Sequence, residues 1–244
     1  MKLSYNEIFK YSDILNPVSS TTLFLAGKLA QLEPKKIVLD LGSGKGFPSL
    51  LWASTFGVHV EGFDMNKEYV EYANSRAKML NLSNRVKYFA GDIRELRFDR
   101  KYDVLAYLGL GMAQVYGNIS NALKTFETML HKDGALVLAE PVWLANPVSS
   151  EVLNALSEAE DSFLTEFEMQ RLLEDSGFHV LSHFVSSKED WELYVGPVYV
   201  AMHEIIESES ELADEAQRVM DGFKAEYNAA GQHWNMILWV AKVH

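Results

Sequence analysis

Residues 38–46 read Val-Leu-Asp-Leu-Gly-Ser-Gly-Lys-Gly, an apolar run that enters a glycine-rich turn. The spacing is Asp40-x-Gly42-x-Gly44-x-Gly46, and a stretch with helical periodicity follows. A short, continuous apolar run predicts a strand buried on both faces, which needs a sheet covered on both sides. Glycines let the backbone turn sharply and let a ligand approach it closely. The helix after the turn adds free N–H groups and the positive end of a dipole. A chain with this element is expected to form an α/β sheet with a ligand at the turn.

As far as about Glu140 the chain keeps that rhythm. Strands are predicted at Ile37–Leu41, Val58–Phe63 (ending at Asp64), Arg85–Ala90, Asp103–Leu108 and Gly134–Glu140. Helices are predicted at Phe47–Phe56, stopped by Gly57, at Lys67–Leu80, and at Asn118–Leu130, closed by Lys132-Asp133-Gly134. A βαβαβ order with short loops predicts a doubly wound, mostly parallel sheet. Further on, Thr165–Asp175 opens with a capping box, Thr165 with Glu168, and stops at Gly177. Phe178–Ser186 and Trp234–Val243 bring the strands to seven. Residues 189–232 are acid-rich, helical in pattern and dotted with aromatics, as a helical insertion or lid would be. Residues 1–32 form a helical cap broken at Asn16-Pro17, since proline disfavours helix at the residue before it. The expected organisation is one domain over residues 1–244, with its sheet core in 36–186 and 233–244.

Composition narrows the partners. With 22 Lys and Arg against 34 Asp and Glu, the formal charge is −12. Nucleic-acid binders neutralise phosphates with clustered cations, so no nucleic-acid partner is expected. No apolar run approaches the roughly 18 residues that span a bilayer, so no membrane partner is expected either. There is no cysteine, hence no disulfide framework, thiolate metal site or cysteine nucleophile. Cytoplasmic location is the default expectation.

Which cofactor suits the turn follows from its spacing. A dinucleotide-binding turn reads Gly-x-Gly-x-x-Gly, and the position three after Gly44 is Phe47. Asp40 and the glycine amides suit a ligand without a pyrophosphate. S-adenosylmethionine fits, having an amino-acid end, a sulfonium, a ribose and an adenine. Asp64 ends the second strand, where a carboxylate can accept both ribose hydroxyls, although an NAD enzyme would show the same acid. Phe89-Ala90-Gly91-Asp92-Ile93 ends the third strand. There Asp92 can accept the adenine amino N–H, and Ile93 can pack on the ring.

On these elements the chain resembles class I S-adenosylmethionine-dependent methyltransferases, over Lys36 to Glu140 at least. A narrower likeness is to uncharacterised bacterial small-molecule methyltransferases of the ubiquinone/menaquinone-biosynthesis type. It rests on Asn16-Pro17, on Glu140-Pro141-Val142-Trp143, and on Trp191 with Tyr194. The resemblance implies a Rossmann-like seven-stranded sheet with its last strand antiparallel. It implies a cofactor set of Asp40, Gly42, Ser43, Gly44, Gly46, Asp64, Met65, Asp92, Ile93, Leu108 and Gly109. S-adenosylmethionine would leave as S-adenosylhomocysteine, the acceptor would be a small molecule, and no metal would be needed.

Other residues carry two readings each. Asp64 also suits a helix N-cap, and Asp92 a turn cap at Arg94. Glu140 ends the fifth strand and is the candidate base, or else a loop carboxylate. Trp143, Trp191 and Tyr194 could wall the acceptor pocket or pack in the core, as could Tyr199, Tyr227 and Trp234. His179 and His183 lie on a predicted strand, where four residues span about 13 Å, too far for one ion. His203 suits a base or a solvated helix position. The competing classes are a non-catalytic S-adenosylmethionine-binding module and an NAD(P)-dependent oxidoreductase.

Overall fold

The computed structural model describes residues 2–109, 111–145, 148–156, 158–159, 162–208 and 210–244. Within them the elements run α1 (Tyr5–Ile8), α2 (Ser20–Leu29), β1 (Ile37–Leu41), α3 (Phe47–Phe56), β2 (His59–Asp64) and α4 (Lys67–Met79). Next come β3 (Val86–Ala90), β4 (Tyr102–Leu108), α5 (Met112–Tyr116), α6 (Ile119–Met129), β5 (Leu130–Trp143) and α7 (Ser150–Leu156). The chain finishes with β6 (Leu164–Thr165), α8 (Glu166–Asp175), β7 (Phe178–Val185), α9 (Lys188–Glu207), α10 (Ala213–Ala229) and β8 (Trp234–Val243).

The strand order is β3-β2-β1-β4-β5-β8-β7, with the two-residue β6 beside β5. Strand β8 runs antiparallel to β5 and β7, and the remaining pairs are parallel. The expected doubly wound sheet with an antiparallel last strand is therefore present, with β6 as a small addition. Strand order reverses between β1 and β4, and the carboxyl ends of those strands frame the crevice where such sheets bind ligands.

Alternation along the strands divides the core in two. Val38, Val60, Val104, Val137 and Leu238 face one side and pack with α2, α3 and α4 residues such as Leu23, Trp52 and Ala73. Leu39, Leu105, Leu136 and Ile237 face the other, against Phe126 of α6 and Leu173 of α8. Fully buried Trp52 donates its indole N–H to Leu23 O at 2.8 Å, fastening α2 onto α3. Losing such an aromatic typically costs about 3–5 kcal/mol.

The appended parts are more irregular than the pattern suggested. In the cap, α1 is a single turn held by a Ser4–Glu7 capping box, and α2 starts at Ser20, after Asn16-Pro17. The insertion is a helical pair, with Pro197 inside α9. The run Glu207-Ser-Glu-Ser-Glu211 ends α9 and leads towards α10, apart from Glu209, which lies outside the described residues. The capping box predicted at Thr165 and Glu168 opens α8.

Candidate active site

Gly42, Gly44 and Gly46 all take positive φ (+73°, +52° and +79°), a region that costs other residues about 1–2 kcal/mol. Gly42 and Ser43 donate their N–H groups to Phe63 O at 2.8 and 2.9 Å, tying the turn to β2. A Cβ on Gly46 would collide with the Tyr88 hydroxyl, which donates to Gly46 O at 2.9 Å from beneath. The turn is thus held from the sheet side.

Asp64 ends β2 beside that turn. Its Oδ2 accepts from Gly44 N and its Oδ1 from Asn66 N, both at 2.8 Å. Burial raises its pKa, against the lowering by those two amide bonds. The expected N-cap of α4 is instead Asn66, whose side chain accepts from Glu68 N and Tyr69 N. Asp64 is therefore fixed in direction, and each carboxylate oxygen retains acceptor capacity for a ligand hydroxyl. Met65, the next residue, is 75% exposed. Asp40 is buried within β1, where it accepts from the Ser49 hydroxyl, and burial pushes its pKa up to about 7. It orients the loop by tying β1 to α3. The buried Ser43 hydroxyl has no hydrogen-bond partner among the described residues, a polar atom inside the turn that suits a polar ligand.

At the end of β3, Asp92 accepts from Arg94 N and Arg94 Nε, both at 2.9 Å. Those bonds hold its carboxyl down at about 2. The turn-cap reading of Asp92 is therefore realised, and the Arg94 guanidinium also pairs with both carboxylate oxygens. Ile93 lines a cavity of about 530 Å³ with Leu96, Val115 and Tyr116. Across the crevice, Gly109 (φ +78°) donates to Ala139 O at 2.8 Å, and Leu108 O accepts from Asn16 Nδ2 at 3.1 Å.

Glu140 is 4% exposed on β5. It accepts from the backbone amides of Gly111 and Met112, the latter at 3.0 Å, and burial pushes its pKa up to about 8. The side chain caps α5, whose N-cap Gly111 has no side chain to do so. It therefore holds the loop after β4.

Of the predicted pocket aromatics, Trp143, Trp191, Tyr194 and Trp234 join through Phe163 in one packed chain of rings, whereas Tyr199 and Tyr227 lie on α9 and α10 outside it. Trp143 meets Phe163 at 4.8 Å between centroids, Phe163 meets Trp234 at 5.8 Å, and Trp234 meets Trp191 at 5.0 Å. Trp191 continues to Tyr194 at 5.9 Å and donates its indole N–H to Asn235 Oδ1 at 2.8 Å. Trp191, Tyr227 and Asn235 also line a cavity of about 310 Å³. His179 and His183 are both on β7, and His183 Nε2 lies 3.0 Å from Glu166. His203 is exposed on α9.

Sequence reasoning expected a cap in residues 1–32 but missed the contacts that seat it on the glycine turn. Leu15 packs over Gly44, where an added Cβ would approach it to 2.8 Å, and Lys45 reaches Phe9 O at 2.6 Å. A lysine set between two turn glycines was the one visible hint.

Comparison with known proteins agrees with this geometry. Residues 32–238 match the family model described as a methyltransferase domain. The chain is 27% identical to the uncharacterised protein YjhP of Escherichia coli over 196 residues, 80% of this chain and 78% of YjhP. It is 32% identical to the 27-O-demethylrifamycin SV methyltransferase of Amycolatopsis mediterranei over 92 residues, 36% of this chain and 34% of the relative. Its fold matches a methyltransferase from Thiobacillus denitrificans, solved with S-adenosylhomocysteine, at a TM-score of 0.89, 24% identity and full coverage of both chains. With the glycine turn, the two strand-end acids and the strand order all in place, the chain belongs to the methyltransferase-domain family.

Proposed function

We propose that this protein transfers the methyl group of S-adenosylmethionine to a small-molecule acceptor in the crevice above β1 and β4. The observation that carries the reading is Asp64, aimed by Gly44 N and Asn66 N at the edge of the glycine turn. A carboxylate fixed in this way accepts from two vicinal hydroxyls without first reorganising. Asp92 and Ile93 take the adenine, the outer side of the turn with Ser43 takes the ribose and amino-acid end, and Leu108 and Gly109 border the methionine.

The bound cofactor supplies an electrophilic methyl carbon, which the acceptor attacks in line while the departing sulfur keeps the bonding electron pair. The protein's contribution is position and dryness. Residues 2–19 and the α9–α10 pair cover the crevice, and Glu140 holds the loop after β4 through Gly111 and Met112. A Glu140 carboxyl bound in this way positions the loop more naturally than it takes a proton from the acceptor. Trp143, Trp191 and Tyr194 belong to the acceptor side.

A small acceptor is favoured by the charge of −12 and by the covered crevice. The named acceptor of the Amycolatopsis relative, 27-O-demethylrifamycin SV, is such a molecule. Among the described residues no helix is long and apolar enough to cross a membrane. A cytoplasmic setting, and one domain spanning residues 1–244, belong to the same reading.

Titration calorimetry with S-adenosylhomocysteine tests the cofactor, and methyl-labelled S-adenosylmethionine offered with a metabolite panel tests the transfer. Micromolar binding with label transferred to one chemical class is the expected result. Binding of a nicotinamide cofactor instead, or binding without turnover on any class, would sink it.

A further inference from the structure

The segment before α2 lies across the crevice as a strap with ties on both sides. Tyr5 O accepts from Tyr69 at 2.9 Å, and Asp13 pairs with Arg76 at 2.6 Å, both on α4. Lys10 pairs with Glu204 of α9 at 2.8 Å. Leu15 covers Gly44, and Asn16 bonds Leu108 O.

One tie comes from inside the glycine turn. Lys45 is only 8% exposed, unusual for a lysine. Its ammonium donates to Phe9 O at 2.6 Å and lies 5.6 and 5.3 Å from the ring centroids of Tyr69 and Tyr72. Burying an ammonium is costly unless its donors and charge are met. One carbonyl and two ring faces meet them here. Phe9 carries the contact onward. Its ring stacks on Tyr194 at 6.1 Å and meets Phe223 edge-on at 5.9 Å. A single residue therefore touches the cofactor turn through its carbonyl and both insertion helices through its ring.

We propose that Lys45 is a positioning residue that clamps the N-terminal strap over the crevice and seats Phe9 against the Tyr194–Phe223 pair, whose own centroids are 5.7 Å apart, coupling cofactor retention to closure of the insertion. The identity of the ligand beneath the strap rests on the function proposed above; the clamp itself does not. Release of that ligand then requires the Lys45–Phe9 tie to open, and Phe9 to leave the three-ring cluster.

Two measurements on the full chain decide the matter: tryptic cleavage after Lys10 in ligand-free protein, and dissociation of S-adenosylhomocysteine by stopped flow. Lys45→Met should be cleaved at Lys10 at least about tenfold faster and should release S-adenosylhomocysteine about tenfold faster. Lys45→Arg, which can donate to the same carbonyl, should restore most of both. Phe9→Ala keeps the carbonyl but removes the ring that packs on Tyr194 and Phe223, and should also speed cleavage and release; it stands in if Lys45→Met does not fold. Unchanged protection of Lys10 in both Lys45→Met and Phe9→Ala would overturn the clamp. Faster release with the strap still protected would also overturn it, since Lys45 would then act on the ligand directly. Failure of the wild type to bind S-adenosylhomocysteine would remove the cofactor reading, and the protease arm would still judge the clamp.

Discussion

The two halves of the crevice are built from different materials. On the β1–β3 side the groups proposed to face the ligand are short: the glycine turn, whose Gly42, Ser43, Gly44 and Gly46 amides bond within the protein, and the side chains of Ser43, Asp64 and Asp92. On the side of β5, β8 and the insertion they are large rings, from Trp143 through Phe163, Trp234 and Trp191 to Tyr194. Backbone and short side chains fix directions and so define a ligand atom by atom. Stacked rings mainly set volume and exclude water, which many ligands of similar bulk satisfy. On the proposed reading, the donor half is specific in its chemistry and the acceptor half chiefly in shape.

Asp64→Ala should break the contrast most sharply. It would remove the two charge-assisted bonds proposed to the ribose, each worth about 1.5–3 kcal/mol, and leave Gly44 N without its acceptor. We expect S-adenosylhomocysteine to bind at least about 100-fold more weakly by calorimetry. An affinity within threefold of wild type would remove Asp64 from the ribose and return it to a purely structural role.

Trp191→Phe addresses the other half. The change deletes the indole N–H that donates to Asn235 Oδ1, which then keeps only Met236 N, and thins the ring cluster. Stability should fall by about 1–2 kcal/mol, seen as a lower thermal midpoint, while cofactor affinity stays within about twofold. A large loss of S-adenosylhomocysteine binding would show that the two halves do not separate as described.

The same contrast governs what could be read before the fold was known. The need for positive φ at Gly42, Gly44 and Gly46 is local, so the spacing of those residues displayed it. Asp64 and Asp92 were legible because each ends a strand whose period is visible, and α3 runs over the predicted Phe47–Phe56. Elements of a single turn or two residues (α1, α5 and β6) carry too few positions for a period to show. Lys45 illustrates a deeper limit. Its partner is a backbone carbonyl 36 residues away, and any side chain at Phe9 would offer the same atom. Trp143 and Trp191 were visible as aromatics, but the contacts that seat them, Phe163 and Asn235, come from elsewhere in the chain. Only the fold brings those partners together.

Glu140 stands at the seam between the halves: expected to end the fifth strand, it lies inside β5, which pairs with β8 as far as Trp143, and it holds the loop after β4. Burial raises its pKa to about 8, whereas a glutamate in the unfolded chain titrates near 4.5. Between those values the folded protein keeps a proton that the unfolded chain has released, so stability falls as pH rises from about 4.5 to 8. Asp40 and Glu226, each raised by burial to about 7, add to the same slope. Glu140→Gln keeps an oxygen that can accept from Met112 N and removes the titration. It should flatten the slope in urea titrations at pH 5, 6.5 and 8, and stabilise the protein at pH 8 by on the order of 1–2 kcal/mol. Cofactor affinity should stay within about twofold of wild type, because the amide oxygen can still accept from Met112 N and keep the loop in place. A variant less stable than wild type at pH 8 would mean that the folded state holds Glu140 ionised, with the two loop amides outweighing its burial.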